Sequence, residues 1–156
     1  MAQDILIENK NLSKQLEALG RTYVQELTNQ LKIEGKEASG SLIKSLQYRV
    51  DQNYKTPILS ILANDYLTYV DQGRRPGAKM PPSNQLLDWV KERGIKIKGQ
   101  TDGQTAFVIA RSIGIKGIKP TNVIDKTTQI VMDKELKNVA EASRQDVIDM
   151  IKNILI

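Results

Sequence analysis

Between residues 73 and 82 the chain reads Gly-Arg-Arg-Pro-Gly-Ala-Lys-Met-Pro-Pro. Glycine or proline fills half of these positions, so the segment can be neither helix nor central strand. It must be an ordered turn region. At once there follows Ser83-Asn-Gln-Leu-Leu-Asp-Trp-Val-Lys-Glu-Arg-Gly94, a short helix with both ends marked. Ser83 is the predicted N-cap, through its hydroxyl, and Gly94 the stop, in the left-handed conformation. Leu86, Leu87, Trp89 and Val90 form its apolar stripe. Before the turn region, Tyr66, Leu67, Tyr69 and Val70 suit one or two helical turns. After the helix, residues 95–103 form a polar connection from which Lys96 and Lys98 project. A second helix is expected over 104–114. It carries Phe107, Ile109, Ala110 and Ile113, with Gly114 and Gly117 bracketing its end.

The ends of the chain read as long helices. Leu12, Leu16, Leu19, Tyr23, Leu27 and Leu31 recur at spacings of three and four. They predict one amphipathic helix over 4–34, roughly 40 Å long, interrupted only by Gly20 and ended by Gly35. From residue 122 onward, Val123, Ile124, Ile130, Val131, Leu136, Val139, Val147, Ile148, Ile151 and Ile154 give a broken stripe of similar spacing. This predicts a second long helix, capped by Thr121 and bent near 140–143.

Between residues 35 and 63 the period changes. Ser39 to Leu46 reads as a short capped turn. Leu46, Tyr48 and Val50 then alternate with Gln47, Arg49 and Asp51, as in a half-buried strand. Residues 58–63 form a second strand. The connection over 51–57 makes the pair an antiparallel hairpin, with Asn53 the expected left-handed residue. The resulting fold class is α+β: a small antiparallel sheet of three to four strands, covered by helices, within a single domain spanning 1–156.

Composition narrows the function classes. The chain has no cysteine and no histidine. Disulfides, the usual zinc sites, thiol nucleophiles and the commonest general base are thereby excluded. The lack of cysteine fits a reducing cytoplasm. The first residues carry no basic region followed by an apolar run, so no signal peptide is expected. No stretch approaches the ~20 apolar residues of a membrane span. Aromatic residues make up only 4% of the chain, so the core must be mainly Leu, Ile and Val.

Candidate catalytic groups are thin. Asp65 and Asp71 do not share a helix face, and Ser39, Ser41 and Ser45 have no histidine to activate them. Asp146 and Asp149, beside Arg144 and Lys152, read as a surface salt-bridge pattern. The chain is read as non-enzymatic and without a cofactor or metal. The loop 73–77 lacks the Gly-Lys-Ser/Thr ending of a phosphate-binding P-loop.

Charge is more telling. Residues 72–98 hold seven basic residues (Arg74, Arg75, Lys79, Lys91, Arg93, Lys96 and Lys98) against Asp88 and Glu92. That difference accounts for the whole net charge of +5. Such a patch favours DNA or an acidic protein surface. The arginine pair is suited either to hold a phosphate or carboxylate, or to brace a tight turn with its stems packed. Trp89 fits either the core or the anchor of a subunit interface. The apolar C-terminal stripe with Ile148, Ile151 and Ile154 either closes the core or docks on a partner.

The ordered set of motifs resembles the tail-completion, or head–tail joining, proteins of tailed bacteriophages. That family places a loop of the form YV-x-x-G-R-R/K-P-G before P-P-x-x-x-[IL]-x-x-W-[IV]-x-x-[KR]-G-[IL]. Here the loop matches at Tyr69, Val70, Gly73, Arg74, Arg75, Pro76 and Gly77, and the helix at Pro81, Pro82, Leu86, Trp89, Val90, Arg93, Gly94 and Ile95. A helix of the form A-[FY]-x-I-A-[RK]-x-I-x-x-x-G-[IT]-x-P follows. It is matched by Ala106, Phe107, Ile109, Ala110, Arg111, Ile113, Gly117, Ile118 and Pro120. The likeness is close over the middle third and one of layout elsewhere. The chain departs from it at Thr121-Asn-Val-Ile-Asp125, where members often have an aromatic residue and a second proline pair.

The resemblance implies a virion protein of the neck or tail, made in the cytoplasm of a bacterial host. It implies a homo-oligomeric ring, sixfold or twelvefold, joining portal or connector to tail. The contact loop would comprise Gly73, Arg74, Arg75, Pro76, Gly77 and Lys79, with Lys96 and Lys98, facing packaged DNA or an adjoining ring. Trp89, Ile148, Ile151 and Ile154 are the candidate subunit interface. The alternative function is a basic nucleic-acid-binding module. Against it, the patch lacks interleaved aromatic residues and any helix-turn-helix or RNA-recognition signature.

Overall fold

The computed structural model describes residues 8–35, 40–53 and 55–154. The elements run α1 (Lys10–Ile33), α2 (Ser41–Ser45), β1 (Gln47–Asp51), β2 (Ile58–Leu62), α3 (Tyr66–Gln72), α4 (Ser83–Glu92), α5 (Asp102–Lys116) and α6 (Val123–Ile154). The class is α+β, with long helices near both ends and one antiparallel sheet. Among the described residues that sheet has two strands, not the three or four expected. The remaining β pairing is a single bridge between Arg74 and Ile118. The chain forms two compact units, each assembled from separated segments.

The first unit takes in residues 8–29, 46–62 and 125–154. Its hairpin pairs Tyr48 with Ile61 and Val50 with Leu59, which puts these four side chains on one face. The expected alternation therefore holds in β1. The connection is tightened by Asp51, whose carboxylate accepts the Asn53 N–H at 3.0 Å. Asn53 itself is not left-handed.

Helix α1 lies on the hairpin at Gly20. A Cβ there would come within 2.6 Å of the Tyr48 ring and 2.8 Å of Leu59. Gly20 does not interrupt the helix. It is the position where sheet and helix touch, and residues 4–7 of the expected helix fall outside the described part.

Helices α1 and α6 run antiparallel. Successive residues of the first meet receding residues of the second: Asn11 with Asp146, Gln15 with Glu135, Tyr23 with Thr128. Leu12, Leu19 and Leu27 are buried, as the Leu spacing predicts, and so are Thr127 and Val131 of α6. Helix α6 is one uninterrupted element.

Asp146 corrects its sequence assignment. It is 3% exposed, and its carboxylate accepts the backbone N–H groups of Asn11 and Leu12 at 2.9 and 2.8 Å. These are free donors of the first turn of α1, so Asp146 caps that helix from far along the chain. Arg144 pairs instead with Glu141, one turn back. Asp149 accepts from Gln145.

The second unit takes in 30–45 and 63–124. It buries Leu31, Leu42, Leu67, Val70, Val90, Ala106, Ala110 and Val123. Helix α4 packs on α5. Helix α4 starts at Ser83 itself, with Pro82 in the cap position and no side-chain cap. Ser83 is the first residue inside the helix and so does not cap it. The far end is as expected: Gly94 N–H bonds Lys91 O and Ile95 N–H bonds Val90 O, both at 3.1 Å, a Schellman pair.

Helix α5 starts earlier than expected. Thr101 Oγ1 accepts the Gln104 N–H, and Gln104 Oε1 accepts the Thr101 N–H, which forms a capping box. It also runs through Gly114 to Lys116, because Gly114 is a packing position. A Cβ there would lie 3.3 Å from Met80 Cα.

Candidate partner-binding loop and cleft

The basic loop is held by an exchange between two segments more than forty residues apart. Arg74 N–H bonds Ile118 O at 2.8 Å, and Ile118 N–H bonds Arg74 O at 2.9 Å. Gly77 N–H bonds Gly114 O at 2.8 Å, which ties the loop to the last turn of α5. The two outer motifs of the sequence pattern, at 69–77 and 106–120, are thus one structural unit.

The departure at Thr121 is accommodated locally. Thr121 is buried, and its hydroxyl donates to Val70 O at 2.7 Å. It does not cap α6. Asn122 adopts φ 52, and the cap comes from Asp71, whose carboxylate accepts the Ile124 N–H at 2.9 Å.

The arginine pair divides between the two readings open to it. Arg74 is half-buried: its guanidinium lies over the Tyr69 ring, 5.5 Å from the centroid, and its Nη2 donates to Lys79 O. It braces the loop. Arg75, Pro76, Gly77 and Lys79 are exposed, as are Lys96 and Lys98 on the α4–α5 connection. These cations are available to a partner.

Behind the loop lies a cleft of about 540 Å³. Its walls include Tyr66, Tyr69, Pro81, Pro82, Leu86 and Ile118, with Arg74 and Lys79 on one side. Asp65 is the sole carboxylate among the lining residues. Burial pushes the Tyr66 hydroxyl above its ordinary range, partly opposed by the charge of Arg93. The Arg74 Nε–H has no acceptor among the described residues. This cleft is not legible in the sequence, because its walls come from three separate stretches that the Arg74–Ile118 bridge, the Gly77–Gly114 hydrogen bond and the packing of α4 on α5 bring together.

The other candidates are placed as follows. Trp89 is half-buried, with Arg93 over its ring at 5.9 Å and its Nε1 buried. Ile148 is half-buried, whereas Ile151 and Ile154 are 46% and 53% exposed, and Val147 is also exposed. Among the described residues the C-terminal stripe therefore does not close a core. A second apolar face lies on α5. Phe107, Val108 and Ile115 are exposed, by 48%, 41% and 62%, while the small residues Ala106, Ala110 and Gly114 are buried. The close approach of the 78–80 segment at Gly114 leaves little room for a side chain at that position.

No helix among the described residues is long and apolar enough to cross a membrane. Comparison with protein-family profiles, with curated proteins and with solved structures finds no match to this chain.

Proposed function

We propose that this protein is a structural component of the head–tail junction of a tailed bacteriophage. Copies assemble side by side into a closed ring at the neck of the virion, between portal or connector and tail. A single repeated heterologous contact closes when its rotation divides a circle, and sixfold and twelvefold rings both satisfy that condition. The protein works by geometry rather than catalysis.

One observation carries the reading. The sequence blocks on which the likeness to head–tail joining proteins rests meet at the Arg74–Ile118 bridge, and they present exposed Arg75 and Lys79 beside it. Exposed apolar faces on α5 and at the end of α6 supply surface for contacts between copies.

Electron microscopy of the purified protein, alone and mixed with portal and tail proteins, tests this. Closed rings support it. A protein that remains a monomer in every mixture counts against it.

The concentration of charge at 72–98 favours a second reading, a nucleic-acid-binding module. Its signature is monomeric binding to duplex DNA that weakens steeply with salt.

A further inference from the structure

We propose that the cleft beside the basic loop is a peptide-docking site for an extended, apolar segment of an acidic partner protein, whose carboxylate side chains meet Arg74 and Lys79. This rests on the structural role proposed above and names the chemistry of one partner.

The volume, about 540 Å³, is in the range of sites that enclose part of a ligand. The walls select its class. Tyr66, Tyr69, Pro81, Pro82 and Leu86 offer flat apolar surface, and a proline wall has no N–H with which to add a strand to a sheet. Aromatic and proline surfaces of this kind suit an extended peptide that enters by its side chains.

Charge selects the composition. Arg74 and Lys79 face a single lining carboxylate, Asp65. One N–H of Arg74 Nη2 is engaged by the Lys79 carbonyl and the Nε–H is buried, so the remaining Nη N–H groups are the donors left for a carboxylate.

The same features disfavour nucleic acid inside the cleft. Duplex phosphates gain nothing from a recessed apolar wall.

The test uses the purified full chain, labelled with a fluorophore and applied to an array of random peptides. Affinities of the strongest binders are then measured by fluorescence anisotropy. Enriched peptides should combine Pro, Leu or Ile with Asp or Glu. Lys79→Glu, at the rim, and Gln85→Trp, which fills the cleft from an exposed position, should each weaken them roughly tenfold or more, with melting unchanged. Lys98→Glu, outside the cleft, should not.

Enrichment of neutral or basic peptides would overturn the proposal. So would the absence of any binder, or indifference to both cleft variants. A short DNA duplex that binds in a Lys79-dependent and Gln85→Trp-sensitive manner, where peptides do not, would also overturn it. Because the assay needs no virion, a failure here leaves ring formation standing, and failure of ring formation leaves this result standing.

Discussion

Gly73 and Gly117 stand on opposite sides of the Arg74–Ile118 bridge in nearly the same backbone conformation, φ 70, ψ −165 and φ 72, ψ −170. That region is essentially closed to residues with a Cβ. Space forbids one as well: a Cβ on Gly73 would overlap the Ile118 carbonyl oxygen, and one on Gly117 the Arg74 carbonyl oxygen. Gly73→Ala and Gly117→Ala should each destabilise the chain by at least about 1–3 kcal/mol, seen as a lower midpoint in chemical denaturation. Gly77→Ala, in open surroundings, should cost only the strain of its φ, roughly 1–2 kcal/mol. Equal midpoints for Gly117→Ala and the parent would show that the bridge does not hold the loop.

Asp146 should matter more than its place on a polar-looking helix suggests. Asp146→Ala leaves the first-turn N–H groups of Asn11 and Leu12 without their acceptor and should cost about 1–3 kcal/mol. Asp149→Ala, three residues on, should stay within about 0.5 kcal/mol of the parent. Similar losses for both would return Asp146 to the role of a surface charge.

Alanine is a better helix former than glycine by about 1 kcal/mol, yet Gly20→Ala should destabilise. The added methyl would collide with Tyr48 and Leu59, and overpacking typically costs about 1–3 kcal/mol. Thermal melting decides the sign. A rise in Tm would mean that the hairpin can move away from α1.

The two loop arginines should separate cleanly. Arg74→Glu removes the guanidinium from Tyr69 and from the Lys79 carbonyl, and should lower Tm. Arg75→Glu touches an exposed side chain and should leave Tm within about a degree or two, while weakening any acidic or phosphate partner. Parallel melting and pull-down with portal and tail proteins read both effects. A folded, fully active Arg74→Glu would show that this residue does not brace the loop.

At the end of α6, Ile151→Asp with Ile154→Asp should leave the chain folded, because both side chains are already about half in solvent at the last turns of the helix. If a second copy covers them, hiding each contributes roughly 1.5–3 kcal/mol, so the double variant should dissociate. Sedimentation at several concentrations distinguishes this from unfolding. An unchanged oligomer would place the subunit contact elsewhere, with the α5 face of Phe107, Val108 and Ile115 the next candidate.

The sequence reveals what depends on near neighbours. The Leu12–Leu31 stripe, the alternation at Tyr48 and Val50 and the Schellman stop at Gly94 are local patterns, and each is where the periodicity puts it. The capping box of Thr101 and Gln104 is equally local, with the Thr-x-x-Gln spacing as its signal. Long-range groups are not legible. Asp71 and Asp146 cap helix N–H groups 53 and 134 residues away in sequence, and nothing in the flanking residues announces it. The burial of Ala106 beside an exposed Phe107 is likewise not announced by neighbouring residues. The candidate site divides the same way: the exposed Arg75, Lys79, Lys96 and Lys98 are a matter of composition, whereas the cleft depends on long-range contacts such as the pairing of Arg74 with Ile118 and of Gly77 with Gly114.

The central claim is that this chain occupies the neck of a tailed phage particle as a closed ring. Cryo-electron microscopy of particles carrying a tagged copy tests it most directly. The account predicts density for the tag at the head–tail junction, repeated with sixfold or twelvefold symmetry around the DNA channel. A tag found as a single copy, found elsewhere in the particle, or missing from purified virions would contradict it.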